Sequence, residues 1–223
     1  LIVWKNITGR AIREQQRIAM TNAVAHNLKT PLCVINGFSE NLREESGYLT
    51  KQHYINVIQE QANEMDILVH KMLNFSKLES DSAKLNIKSF NIKTELENIA
   101  KKYNDISSKN IIVTADDKEI FADKELMELV FENLIENAVK YSKDNSDIKI
   151  SFANNNFNIS NECDEISKKD LKKIWKPYNR LEKDEEVRGT GIGLSIVKHI
   201  LKLHRIKPYT EYSGGRLIIG FYF

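Results

Sequence analysis

The 223-residue sequence predicts an α+β, multidomain fold: a helical hairpin that forms a dimeric four-helix bundle, followed by a domain of mixed helices and short strands. Three observations predict it. Through the first eighty positions apolar residues recur every seven, and only Gly9, Pro31, Gly37 and Gly47 disfavour helix. From about Leu85 the pattern shifts to short strand-like runs, amphipathic helices and Asn- or Gly-marked turns. A two-helix hairpin also carries an apolar stripe that stays wet unless a second copy covers it.

Residues 1–13, opening on "LIVW" with no initiator methionine, read as a linker from an upstream sensor or membrane segment. That opening suits the end of a membrane helix and the last strand of an upstream domain equally. Residues 14–80 form the hairpin. In its first helix Ile18, Ala25, Leu32 and Ser39 make one heptad row and Thr21, Leu28, Ile35 and Leu42 the other. "EESGYLTKQ" interrupts the pattern with a glycine and a threonine able to cap the second helix. A second seam then runs through Ile55, Ile58, Ala62, Met65, Val69 and Met72. Residues 84–223 form the second domain. There "LNIKSF" and "NIIVTAD" predict strands, and "KTELENIAKKY" and "KELMELVFENLIENAVKYS" predict helices. "DIKISFANNNFNIS" predicts a hairpin with an Asn-rich turn, and "GGRLIIGFYF" a last strand after a glycine turn. Antiparallel strands mixed with helices give the α+β class.

Composition narrows the function. Formal charge is +2 with 29% charged residues, so there is no one-signed field for a duplex, and nucleic acid is excluded as a partner. Cys33 and Cys163 stand far apart in no ligand-like spacing, which fits a reducing compartment and excludes a thiolate zinc site. No apolar run reaches membrane-spanning length and no signal peptide is visible, so the chain reads as soluble, with membrane contact only through a missing upstream segment.

Three stretches carry chemistry. In "HNLKTP" His26 lies just off the heptad seam with Thr30 one turn on. Pro31 removes the N–H that the Asn27 carbonyl needs, so the helix is expected to bend beside the imidazole. Alone, a histidine before a proline means little. In "ENLIENAVKYS" Asn133, Asn137, Lys140 and Tyr141 share one helix face, where amide oxygens suit magnesium and a lysine suits phosphate. In "RGTGIGLSIVKHILKLH" Gly189, Gly191 and Gly193 lead into a helix whose first amides can approach phosphate closely. The charged "NRLEKDEEV" just before them has the make-up of a lid.

"HNLKTP", "NLIENAVKYS", "WKPYNR" and "GTGIGL", in that order, resemble the sensor histidine kinases of two-component systems, from about Ile12 to Phe223. The resemblance implies a dimerization and phosphotransfer domain over 14–80 and a Bergerat, GHKL-type α/β-sandwich binding ATP over 84–223. It implies that His26 accepts the γ-phosphoryl of ATP and passes it to an aspartate of a response regulator, within a homodimer on the cytoplasmic side of a bacterial cell membrane. Asn27 would orient His26, and Thr30 would serve dephosphorylation of the regulator. Asn137 and Asn133 would hold Mg2+, with Lys140, Arg188, Gly189, Thr190, Gly191, Gly193 and Leu194 on the phosphate side. Tyr141 and Asn161 would lie on the adenine side, and Trp175 and Tyr178 in the aromatic F box. Lys29 and the lower second helix would dock the regulator.

Two departures from the family pattern have consequences. Asn27 stands where relatives carry a carboxylate, and general-base help is worth about 10²- to 10⁴-fold, so slower autophosphorylation is expected. In "ISNECDEI" Asn161 takes the place of an Asp, and Cys163 and Glu165 those of glycines, so nucleotide affinity is expected to fall. A chain acting mainly as a regulator phosphatase, or a non-catalytic dimeric scaffold, stays open at this point.

Overall fold

In the computed structural model the described residues are 25, 28–43, 47–79, 85–176 and 191–223. The chain divides into two compact units, Leu1–Glu79 and Ser80–Phe223.

In the first unit residues 28–43 are helical (α1), and the helix runs through Pro31, which is buried. The second helix, α2, spans Tyr48–Glu79. Its first turn closes where the Lys51 N–H donates to the Gly47 carbonyl at 3.0 Å. Gly47 is therefore the capping position, and Thr50, expected as a possible cap, lies inside the helix. The edge of the Phe38 ring meets Tyr54 at 5.3 Å and His53 at 6.3 Å, which ties the two helices together.

The expected seam of α2 divides in the single chain, its Ile55–Ala62–Val69 row being left for a second copy to cover. The inward row is Tyr54, Gln61 and Leu68, the last two buried, while Ile55, Ala62 and Val69 face out. Ile58 and Met65 are half-buried, and the Met72 side chain lies outside the described set. On α1 Ala25 and Leu32 face out as well, Leu32 being 47% exposed in the single chain. The Nε2 of Gln61 is buried without a hydrogen-bond partner among the described residues.

The second unit runs β1 (Ile87–Asn91), α3 (Ile92–Ile106), β2 (Ile111–Ala115), β3 (Glu119–Asp123), α4 (Lys124–Tyr141), β4 (Ile148–Ala153) and β5 (Asn156–Glu162). It continues through α5 (Lys168–Lys173), α6 (Gly193–Leu203), β6 (Pro208–Ser213) and β7 (Arg216–Tyr222). A two-stranded sheet pairs β1 with β3, and a five-stranded sheet has the order β2-β4-β5-β7-β6. One pairing departs from the all-antiparallel expectation: β2 runs parallel to β4, as Ile111 pairs with Ile148. Between them lie β3 and α4, the crossover that a parallel pair requires.

The Asn-rich turn is as expected, with Asn154 at φ 52° and Asn155 at φ 62°, the left-handed pair a two-residue hairpin needs. Along β5, Phe157, Ile159 and Asn161 alternate inward. Phe157 stacks on Phe221 of β7 at 4.9 Å and meets Phe131 of α4 at 5.1 Å, which seats α4 on the sheet. On the other face the Tyr209 hydroxyl crosses from β6 to donate to Asn156 Oδ1 at 3.0 Å and also reaches Asn158. Its ring lies over Gly220, where an added Cβ would come 2.5 Å from it.

Candidate active site

Helix α4 is fixed at both ends. At its start the Asp123 carboxylate accepts the N–H groups of Leu126 at 3.3 Å and Asn86 at 2.9 Å. The Asp123 N–H donates to His204 Nε2 at 3.1 Å, and Nδ1 of the same ring lies 2.9 Å from the Ile200 carbonyl. An acceptor Nε2 requires the Nδ1–H tautomer, so His204 joins the start of α4 to the end of α6. At the other end Lys109 donates to the carbonyls of Ser142 and Lys143 at 3.3 and 2.8 Å, where the helix dipole favours a cation.

The polar stripe of α4 therefore has a set direction. Asn133 is 3% exposed and its Nδ2 donates to the Leu129 carbonyl at 2.7 Å. That bond turns Oδ1 toward α6, where a Cβ on Gly193 would lie 2.9 Å from it and 3.8 Å from Asn137 Nδ2. Gly193 is thus a close-approach glycine. It lets the first turn of α6 reach the two asparagines, which come from a distant part of the chain.

Just ahead, Gly191 has φ 66°, a left-handed conformation that a side chain resists. No side chain caps α6, because the N-cap position is held by Ile192, which has no polar side-chain atom; inside the first turn the Ser195 hydroxyl donates to the Ile192 carbonyl at 2.6 Å. An uncapped helix start suits an anionic ligand. Asn137 Nδ2 is buried without a partner among the described residues, a state that costs about 1–3 kcal/mol unless a ligand oxygen accepts from it. The donor set fits a polyphosphate. Among the described residues no group of three or more His, Cys, Asp or Glu could hold a metal.

Beyond the stripe, Lys140 is exposed and Tyr141 half-buried. The end of α4 meets the end of β5 where the Lys143 N–H donates to the Glu162 carbonyl at 2.9 Å. Asn161 closes the inward row of β5 at 5% exposed, its Nδ2 lying 3.4 Å from the Glu162 carbonyl. Cys163 is buried, with its N–H on Gly215 and its carbonyl accepting from the Tyr212 hydroxyl at 3.3 Å. Glu165 is exposed. Asp164 pairs with Lys143 at 3.0 Å and holds that ammonium above its ordinary pKa.

Leu194 is half-buried at the head of α6, and Trp175 is buried with Nε1 3.4 Å from Thr210 Oγ1. On α1, Lys29, Thr30 and Cys33 are exposed. The expectations for His26, Asn27, Tyr178, Arg188, Gly189 and Thr190 lie outside the described residues, as does the "NRLEKDEEV" lid. Sequence reasoning missed Lys109 and His204, two lone residues with no motif around them.

Two family models match the chain. The model for the Histidine kinase-, DNA gyrase B-, and HSP90-like ATPase matches residues 122–219, and that for the His Kinase A (phospho-acceptor) domain matches residues 16–81. Sensor histidine kinase ArsS of Helicobacter pylori is 25% identical over 205 residues, covering 91% of this chain and 46% of ArsS. Sensor protein kinase WalK of Staphylococcus aureus is 27% identical over 231 residues, covering 97% of this chain and 55% of WalK. The chain spans about half the length of the curated relatives it matches. In fold it is similar to the Acinetobacter baumannii histidine kinase AdeS, with TM-score 0.69 and 22% identity over 88% of this chain and 95% of that one. It is also similar to histidine kinase ThkA, solved in complex with response regulator protein TrrA, with TM-score 0.71 and 22% identity over 99% of this chain and 66% of that one.

Proposed function

Since the chain belongs to the sensor histidine kinases of two-component systems, we propose that it phosphorylates itself on His26 from ATP and transfers the phosphoryl group to an aspartate of a response regulator. The observation that carries this is the meeting of Asn133, Asn137 and the head of α6 at Gly193, with a buried amide donor of Asn137 unpaired. Phosphoryl transfer asks a protein mainly for position and charge neutralisation, and a rigid polar stripe facing a helix start offers both.

In this reading Asn137 Nδ2 and the α6 amides receive phosphate oxygens, with Lys140, Arg188, Gly189, Thr190, Gly191 and Leu194 on the same side. Asn137 Oδ1, with Asn133, holds Mg2+, which when bound neutralises charge between the phosphates. Tyr141 and Asn161 flank the adenine. A neutral His26 nitrogen attacks the γ-phosphorus, the bond from that phosphorus to the bridging oxygen breaks, and ADP leaves. Asn27 holds the imidazole N–H through its amide oxygen. The regulator's aspartate then attacks the same phosphorus and the P–N bond breaks. Lys29 and Thr30, exposed on α1, belong to the face that receives the regulator.

Leu32, Ile55 and Val69 stand exposed in rows with Ala25 and Ala62, and a second copy of the hairpin covers them in the proposed homodimer. The chain works on the cytoplasmic side of a bacterial membrane, in line with the sensor kinases it matches. Among the described residues no helix is long and apolar enough to cross a membrane.

The test is incubation with Mg2+ and γ-labelled ATP. Acid-labile label that disappears in His26→Ala supports the reading, and its absence from the natural chain sinks it. Asn27→Asp is expected to label faster, by up to the general-base factor of about 10²- to 10⁴-fold. The exposed Thr30 favours a second activity, dephosphorylation of the regulator, which Thr30→Ala should abolish while leaving the label on His26.

A further inference from the structure

We infer that the second unit carries a binding site for a free medium-chain fatty carboxylate, in the groove between the tail of α6 and the β1–β3 sheet, at the opposite end of α6 from Gly193. The groove has a volume of about 540 Å³, within the roughly 300–1,000 Å³ of small-molecule pockets. Ile87 of β1, Phe121 of β3, Leu203 and Ile206 at the tail of α6, and Phe223 after β7 give it apolar walls. Phe121 is 76% and Ile87 48% exposed, and the other three are half-buried, so an apolar guest gains burial on several sides. One wall is set in place beforehand: the Phe223 ring meets Phe152 at 5.9 Å and Phe221 at 5.4 Å, both fully buried.

The polar groups of the groove select the head of that guest. Among the described residues no acidic side chain lines it. His204 has no polar atom left to offer, because Nε2 accepts from the Asp123 N–H and Nδ1 donates to the Ile200 carbonyl. Asn155 is left as a donor: its carbonyl accepts from the Phe223 N–H at 2.9 Å and its Oδ1 from the Lys118 ammonium at 2.6 Å, so Nδ2 remains. Arg205 supplies the charge, its guanidinium outside every hydrogen bond and ion pair of the described residues. It stands at φ 61°, where the N–H groups of Arg205 and Ile206 return to the carbonyls of Lys202 and Leu201 at 3.0 and 2.8 Å and close α6. That left-handed position favours glycine, and Lys202 in the last turn already supplies the cation a helix end prefers. An arginine kept there against its backbone preference places a planar double donor beside an apolar groove, which matches a carboxylate with an alkyl tail.

Isothermal titration calorimetry of the full chain with decanoate, kept below its micelle concentration, tests the inference. Saturable binding of one decanoate per chain is expected, with decyltrimethylammonium, the same tail under the opposite charge, weaker by about tenfold or more. Arg205→Gly is expected to weaken decanoate by about tenfold while leaving decyltrimethylammonium no weaker. Glycine suits φ 61°, so this variant folds at least as well as the natural chain. Phe121→Ser, at an exposed position, is expected to weaken both. The inference is overturned if decanoate does not saturate, if the two heads bind equally, or if Arg205→Gly leaves decanoate binding unchanged. Retention of the chain on phosphatidylglycerol vesicles without saturable binding of free decanoate would assign the groove to a membrane surface, and overturns it as well.

Discussion

The two units bury their apolar residues in different ways. In the second, Phe131, Phe157 and Phe221 are fully enclosed between α4 and the sheet, and the α6 row of Ile196, Val197 and Ile200 is covered as well. In the hairpin Leu32, Ile55 and Val69 remain in water, and the fully covered positions of α2 include a glutamine with an unpaired amide. One unit carries its own core, whereas the other leaves a stripe that a second copy covers in the proposed homodimer. The difference separates local stability, which belongs to the sequence, from stability that depends on protein concentration.

The largest effect that would sharpen this comparison is in the closed core. Phe157→Ala removes a ring held between Phe131 and Phe221 and is expected to cost about 3–5 kcal/mol, seen as a lost or much earlier unfolding transition of the second unit by calorimetry. Leu32→Glu should leave that transition in place while converting the dimer to monomer in sedimentation. A dimer that survives Leu32→Glu would break the comparison. Gly220→Ala is expected to cost about 1–3 kcal/mol in urea unfolding, because both the Asn158 amide and the Tyr209 ring must move, and Tyr209→Ala in the same chain should recover only part of it. Asp123→Ala removes the cap of α4 and is expected to cost about 1 kcal/mol.

The smallest effect is one of pH. Burial, then the charges of Glu136 and Glu132, push the Tyr103 phenol well above its ordinary 10.0. The folded state keeps this proton more tightly than the unfolded chain does. Its contribution to stability is complete below about pH 10 and is lost progressively above it. Tyr103→Phe should make the alkaline limb of the second unit's stability curve shallower, as followed by circular dichroism.

Much of the fold is legible because helices advertise their buried face. The α4 stripe of Asn133, Asn137, Lys140 and Tyr141 is a matter of spacing alone, and so is the glycine cluster ahead of α6. In α2 two heptads run side by side, 54–61–68 turned inward and 55–62–69, part of the expected seam, exposed in the single chain. A single sequence does not say which faces its own hairpin partner. Strands β3 and β6 escape a sequence reading: "EIFAD" is five residues long with no turn signal of its own, and "PYTEYS" opens on a proline and contains no aliphatic residue. The parallel β2–β4 pairing is illegible because register between separated strands leaves no local pattern. Nor does spacing reveal that the Gly193 backbone rests on the Asn133 amide, since that contact exists only after both helices are in place.

That contact constrains how the sequence can drift. A side chain at position 193 and an asparagine at position 133 compete for the same few ångströms, so position 193 is not free to gain a side chain while 133 keeps its amide. A lineage that acquired alanine at 193 would keep its helix start only by shortening residue 133 in the same step or earlier. The order of change is thereby set, with position 133 the gate through which any change at 193 must pass.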